Sequence, residues 1–194
     1  MSKIITISRE FGSGGRTIGK KLAEKLGIEC YDSRIIAETA KESGFTEEYV
    51  ESQSEDTQGS GIFGWLAGSY YGDSNTHHIW NIQYDVIREI ASRGPCVIVG
   101  RCADYILHDF DNVLRVFIHA DDEIRIKRIL EEYGETDEEP HARLKEKDKK
   151  RKAYYEFITG NEWGKSTNFD LTLDSGTLGL DTCVDIIARA ASED

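Results

Sequence analysis

Short runs of β-branched residues alternate with amphipathic segments along the whole chain. The runs predict five strands, at residues 3–8, 28–31, 96–99, 113–119 and 169–173. The segments between them repeat apolar residues at helical spacing and predict helices at 16–26, 33–43, 46–50, 76–93, 101–108, 121–133, 140–158 and 180–191. This alternation favours an α/β fold, a three-layer sandwich in which helices cover both faces of a five-stranded, mostly parallel sheet.

Functional residues are expected where the predicted strands end. In sheets of this kind, ligands bind beyond the carboxyl ends of the strands. The segments that follow the strands are 9–17, 32–34, 100–101, 119–122 and 174–176. Chemistry is therefore expected in these segments rather than on the outer faces of the helices.

The composition narrows the class of protein. The 194 residues include 24 Lys and Arg against 36 Asp and Glu, which gives a net charge of −12. This length favours a single domain, residues 1–194. The acidic excess argues against a nucleic-acid-binding protein, but it leaves room for a small cationic pocket. No apolar stretch approaches the ~20 residues of a membrane helix, and the N-terminus becomes polar too early for a signal peptide, so a cytoplasmic location is expected.

A glycine-rich loop lies between the first predicted strand and the first predicted helix. It reads Gly12-Ser13-Gly14-Gly15-Arg16-Thr17. Glycines let consecutive main-chain N–H groups approach an anion, and the following helix adds its positive end. Arg16 stands where a phosphate-binding loop has lysine and can pair with phosphate oxygens, and Thr17 stands where such a loop presents a hydroxyl to Mg²⁺. The segment predicts a phosphate-binding loop, in which Glu10 replaces the first glycine; an ordinary glycine-rich turn is the alternative.

Polar residues follow the second and third predicted strands. Asp32 and Ser33 are candidates for contact with an acceptor substrate, and the alternative is that one of them caps the next helix. Gly100 permits close approach of a ligand, and Arg101 beside it is suited to clamp a phosphate. A surface salt bridge from Arg101 to a nearby acidic residue, such as Asp104, is the alternative for that residue.

One basic cluster interrupts the acidic chain. Arg143, Lys147 and Arg151 are each four residues apart, so one helical face carries three cations. This face is typical of a lid, about residues 136–166, that brings cations onto a phosphate during transfer. A solvated charged helix is the alternative.

Glycines and aromatic residues are interleaved in residues 57–75. A plain linker does not need the aromatic residues. The segment of about 45–75 is therefore expected to be mobile and to close on the acceptor side, or else to form an oligomer contact.

Taken in order along the chain, these motifs resemble the cytidylate kinase-like family of P-loop nucleoside monophosphate kinases. The resemblance is carried by GSGGRT at 12–17, YDS at 31–33, VIVGRCADYIL at 97–107, RVFIHA at 115–120 and the basic helix around Lys147, Asp148 and Arg151. It covers nearly the whole chain and implies a P-loop NTPase fold.

The family resemblance also implies an activity, which is phosphoryl transfer from ATP with Mg²⁺. The loop from Gly12 to Thr17 would bind ATP. The acceptor, with CMP or dCMP as the first choice, would be bound by Asp32, Ser33 and Arg101. The transferred phosphoryl group would be met by Arg16, Arg143, Lys147 and Arg151. A kinase for another small acceptor and a non-catalytic nucleotide-binding protein are the two alternatives.

Overall fold

Five parallel strands form one sheet in the computed structural model, which describes residues 3–52, 74–133 and 139–192. The strands are β1 (Ile4–Arg9), β2 (Glu29–Tyr31), β3 (Cys96–Val99), β4 (Val113–His119) and β5 (Leu171–Asp174). Their order across the sheet is β2-β3-β1-β4-β5, and each neighbouring pair is parallel. The predicted α/β sandwich is therefore confirmed, with β1 at the centre of the sheet.

Helices connect the strands and cover both faces of the sheet. They are α1 (Gly15–Leu26), α2 (Ser33–Ser43), α3 (Glu47–Ser52), α4 (Ser74–Ser92), α5 (Ala103–Ile106), α6 (Asp122–Tyr133), α7 (Pro140–Thr159), α8 (Ser175–Leu178) and α9 (Leu180–Ser192). The helix predicted at 101–108 is wrong at its start, because Arg101 and Cys102 have a left-handed backbone with φ of 60° and 54°. Within the described ranges, no helix is both long and apolar enough to cross a membrane.

The two faces of the sheet bury separate apolar clusters. Along β1, Ile5 and Ile7 pack with α1 and α9, whereas Ile4 packs with α2 and α4 on the opposite face. Each of these isoleucines is at most 1% exposed, and burial of such a side chain contributes about 1.5–3 kcal/mol. Because both faces of β1 are buried, the strand is rigid, and the residues that follow it start from a fixed point.

The strand order places the end of β1 at the centre of one sheet edge. β1 lies between β3 and β4, with Ile7 beside both Val99 and Val116. From β1 the chain runs toward β2 on one side of the sheet, and from the neighbouring β4 it runs toward β5 on the other side, so the connections diverge at this point. Ligands bind at such a divergence in open α/β sheets.

Candidate functional site

The segment after β1 forms a loop that is suited to an anion. Gly12 and Gly14 have φ of 75° and 81°, in the left-handed region that favours glycine. Gly14 caps α1 without a side-chain hydrogen bond, so the first N–H groups of the helix, at Gly15, Arg16 and Thr17, have no acceptor within it. These N–H groups and the positive end of α1 can together bind a phosphate.

Two glycines of the loop are required by close packing. A Cβ at Gly12 would lie 2.8 Å from the carbonyl oxygen of Arg125, which is on α6. A Cβ at Gly15 would lie 2.6 Å from the Cβ of Arg9 at the end of β1. The loop therefore lies directly against α6 and β1, and a larger residue at either position would push it away from them.

We expect Gly12→Ala to lower the free energy of unfolding by about 2–4 kcal/mol, because the left-handed φ and the clash with α6 each cost about 1–2 kcal/mol. Gly27→Ala is the matched control: Gly27 has a φ of 68°, but no atom of the described residues lies within 4 Å of its added Cβ. Urea denaturation of both variants measures the difference. Equal losses in the two variants would contradict the close packing at Gly12.

The carbonyl group of Ser13 is fixed by two donors from outside the loop. Nη1 of Arg128 donates to its oxygen at 2.9 Å, and the buried hydroxyl of Ser175 donates to it at 2.6 Å. Arg128 also donates to the carbonyl oxygen of Ser175 at 2.8 Å. A carbonyl oxygen that accepts two hydrogen bonds has both lone pairs engaged. We call these hydrogen bonds of Arg128 and Ser175 the brace. Because the brace engages the carbonyl oxygen of Ser13, the loop can present its N–H donors to a ligand.

Arg125 joins α6, α7 and the loop. Its buried guanidinium donates to the carbonyl oxygen of Phe11 at 3.2 Å and pairs with Asp148 at 2.5 Å and Asp122 at 2.6 Å. Asp148 in turn accepts the N–H of Phe11 at 2.7 Å. The basic helix predicted from the sequence, α7, therefore contacts the loop partly through the carboxylate of Asp148.

Glu10, at the first-glycine position of the loop, is directed to the end of β4. Its carboxylate accepts the N–H of Ala120 at 3.2 Å and lies 3.6 Å from Nε of Arg125. Burial raises the pKa of the Glu10 carboxyl above its usual value, and Arg125 and the Ala120 N–H oppose that rise. Glu10 thus ties the start of the loop to the neighbouring strand.

Arg16 and Asp32 form an ion pair at the edge of the sheet. β3 lies between the strands that precede these two residues, so the pair bridges the width of one strand. Asp32 is the N-cap residue of α2, as the alternative predicts, but its side chain makes no capping hydrogen bond to the helix and pairs with Arg16 instead. Ser33 is exposed as the first residue of α2. The ion pair connects the glycine-rich loop to the predicted acceptor side.

Arg101 is buried at the end of β3 and lacks a partner for one nitrogen. The residue is 4% exposed, and none of the described residues offers Nη1 a hydrogen-bond acceptor. The predicted alternative, a salt bridge to Asp104, is wrong: Asp104 accepts from the hydroxyl groups of Tyr155 at 2.7 Å and Ser8 at 3.4 Å. Burial of an unpaired guanidinium nitrogen is costly, and the left-handed backbone adds about 1–2 kcal/mol. Strain and an unsatisfied buried donor at one residue are typical of a ligand site.

Two cations of the predicted lid lie beside the loop. The guanidinium groups of Arg143 and Arg151 are 5.6 Å and 5.5 Å from the ring centre of Phe11. Arg151 is 6% exposed, and its Nη1 donates to the carbonyl oxygen of Arg9 at 3.4 Å. The alternative of a solvated helix is therefore wrong for Arg151. Lys147 is half-buried on the same helix, one turn after Arg143.

The second half of α7 is anchored away from the loop. Tyr154 and Tyr155 pack with Phe117, Phe169 and Cys102 in an aromatic cluster. Burial raises the pKa of the Tyr155 hydroxyl, and the Asp104 carboxylate raises it further. The hydroxyl therefore keeps its proton and donates to Asp104, which fixes α7 to the segment after β3.

Parts of two predicted segments lie outside the described residues. They are residues 53–73, which include most of the glycine- and aromatic-rich stretch 57–75, and residues 134–138 at the start of the predicted lid.

Thr17 is the predicted contact for Mg²⁺. It is half-buried in the first turn of α1. In the part of the chain that the structure describes, no group of three or more His, Cys, Asp or Glu side chains could hold a metal ion. Mg²⁺ keeps several waters and binds chiefly through substrate phosphates and one or two protein oxygens. The residues present therefore fit an ion that arrives with a nucleotide.

Known proteins resemble this chain along nearly its whole length. The model of the cytidylate kinase-like family matches residues 4–177. A cytidylate kinase from Archaeoglobus fulgidus is 30% identical over 192 residues, which cover 96% of this chain and 93% of the relative. The structure of an uncharacterized protein from Eubacterium ventriosum is 30% identical, with a TM-score of 0.76 and 99% of each chain covered. A shikimate kinase from Acinetobacter baumannii, 17% identical with a TM-score of 0.53 over 97% of this chain and 92% of its own, shares the fold.

Proposed function

Because the chain belongs to the cytidylate kinase-like family and is a P-loop kinase, we propose that it transfers the γ-phosphoryl group of ATP to CMP or dCMP. The choice of a cytidine nucleotide is supported by the relatives, which are named cytidylate kinases. Transfer between two phosphate-bearing substrates is supported by the residues of the site.

The observation that carries the proposal is that two different groups of donors suited to an anion lie at one edge of the sheet. The loop after β1 offers main-chain N–H groups, and Arg101 after β3 offers a buried guanidinium with an unsatisfied nitrogen. β1 and β3 are direct neighbours, with Ile7 beside Val99. Phosphoryl transfer needs a donor and an acceptor phosphate held side by side, and it needs little covalent chemistry from the protein.

Each predicted residue then has a role. Gly12 to Thr17 would hold the phosphates of ATP, with Mg²⁺ at Thr17 to neutralise phosphate charge. The acceptor phosphate would be held by Arg101, and the acceptor side would also include Asp32 and Ser33. Developing charge on the transferred group would be met by Arg16, Arg143, Lys147 and Arg151. In this proposal the chain is one domain, in which residues of about 136–166 form the lid and those of about 45–75 the acceptor-side segment.

A panel of acceptors tests the proposal. The purified chain is incubated with ATP and Mg²⁺ and with CMP, dCMP, UMP, AMP, GMP, shikimate or gluconate, and product formation is followed over time. We expect CMP and dCMP to have a kcat/KM at least about tenfold above every other acceptor, because a site built to hydrogen-bond one base rejects others. Transfer only to a non-nucleotide acceptor would overturn the choice of CMP.

Thermal stabilisation separates binding from transfer. A ligand at 100 times its Kd stabilises the folded state by about 2.7 kcal/mol, so ATP with Mg²⁺ and CMP should each raise the melting temperature. Stabilisation by ATP without transfer to any acceptor would favour the alternative of a non-catalytic nucleotide-binding protein.

A further inference from the structure

Phe11 is the point at which α7 meets the loop. Arg143 and Arg151 lie near its ring, at 5.6 Å and 5.5 Å from the ring centre, and Asp148 accepts its N–H at 2.7 Å. Its carbonyl oxygen accepts from Arg125 at 3.2 Å. Both main-chain groups and the ring of one loop residue are therefore engaged by α6 and α7. Phosphate binding does not account for these contacts of Phe11, because the N–H groups that would bind phosphate lie farther along the loop.

The ring contacts are electrostatic as well as apolar. The face of an aromatic ring is negative, and it attracts a cation within about 6 Å by about 0.5–2 kcal/mol. Arg143 and Arg151 carry like charges, and the negative face of the Phe11 ring attracts both of them. A leucine of similar volume would fill the space but would attract neither guanidinium.

We infer that Phe11 is a positioning residue that holds Arg143 and Arg151 beside the phosphate loop. The effect of Phe11 on the transfer rate rests on the proposed function, whereas its contacts with Arg143 and Arg151 do not depend on that function. Arginine side chains lose rotamer freedom when they are fixed, at a cost of about 1.5–2 kcal/mol each. A ring that fixes them before the reaction removes this cost from the transfer step, so Phe11 governs kcat more than the KM for ATP.

Stepwise fluorination of the ring tests the inference, because it weakens the negative face and nearly preserves the shape. We expect kcat to fall steadily from phenylalanine through monofluoro- to pentafluorophenylalanine at position 11, by about 5- to 30-fold in total. Phe11→Leu should fall between the wild type and the pentafluoro variant, because leucine does not attract a cation whereas the fully fluorinated ring face repels one, and Phe11→Trp should keep most of the wild-type rate. The KM for ATP should change by less than about threefold, since the loop N–H groups remain.

The same fluorination at Phe110 is the matched control. Its ring also lies against a guanidinium, that of Arg88 at 4.9 Å, but it precedes β4 at the opposite edge of the sheet. The Phe110 variant should keep the wild-type kcat. A kcat that stays level across the Phe11 series overturns the inference.

Hydrogen exchange of the α7 amides in the nucleotide-free protein gives a second readout. Exchange should become faster across the Phe11 series and should not change in the Phe110 variant. If the wild-type chain transfers no phosphoryl group to any acceptor, the proposed function has failed, and exchange alone then decides the inference. Exchange in α7 that is the same in every Phe11 variant overturns it.

Discussion

Replacing Arg101 with glutamine is expected to lower kcat/KM for the acceptor nucleotide by about 10²- to 10³-fold. Removal of one partner from a buried, hydrogen-bonded charge pair costs about 2–5 kcal/mol, and each 1.4 kcal/mol is tenfold in rate. Arg101 is 4% exposed and its Nη1 has no hydrogen-bond partner among the described residues, so a bound phosphate would be its missing partner. Glutamine keeps the length of the inner side chain and the Cβ, and hence the backbone strain, but it removes the charge. Steady-state rates with CMP varied at saturating ATP measure the effect.

The same substitution should raise the melting temperature of the free protein. Without a ligand, the buried guanidinium nitrogen has lost its water and gained no acceptor from the residues that the structure describes, a cost of about 1–3 kcal/mol that the glutamine variant reduces. Activity and stability are thus expected to change in opposite directions. Arg115→Gln is the control: Arg115 is half-buried and pairs with Asp170 at 2.9 Å. A kcat/KM for Arg101→Gln within about threefold of that control would show that Arg101 does not bind the acceptor phosphate.

The fold could be predicted because its signal is local. Every residue of β1 is buried, and four of its six residues in a row, 4–7, are β-branched, whereas helices such as α1 are buried on one stripe. The glycine-rich loop was predictable for the same reason, since its place between a strand and a helix is visible in the sequence. The order of the strands does not appear in the periodicity, because it depends on which apolar faces pack together.

The parts of the site that depend on strand order could not be predicted. Arg16 and Asp32 were predicted to bind different substrates, and nothing in the sequence indicates that they pair across β3. The brace of Arg128 and Ser175 on the loop joins residues 47 positions apart. The left-handed backbone of Arg101 also has no sequence signal, because such a conformation in a residue other than glycine is set by its surroundings.

Among the cations of the proposed lid, Arg151 has the surroundings that best suit the transfer step. It is 6% exposed, lies 5.5 Å from the ring centre of Phe11 and donates to the carbonyl oxygen of Arg9 at the end of β1. A cation in this place is screened little by water, so it acts strongly on the charge that develops on a transferred phosphoryl group. An arginine that performs this task contributes about 10³- to 10⁵-fold to kcat.

We therefore expect Arg151→Lys to lower kcat by about 10³-fold while the Kd for ATP changes by less than about fivefold, because lysine keeps the charge but lacks the planar fork that contacts two phosphate oxygens. Single-turnover transfer to CMP measures the rate, and thermal stabilisation by ATP measures binding. Lys152→Gln is the control on the same helix, since Lys152 is exposed and lies 3.8 Å from Glu156. If both variants transfer at the wild-type rate, Arg151 only holds α7 against β1. If only Arg151→Lys is slow, the guanidinium of Arg151 acts on the phosphoryl group during transfer.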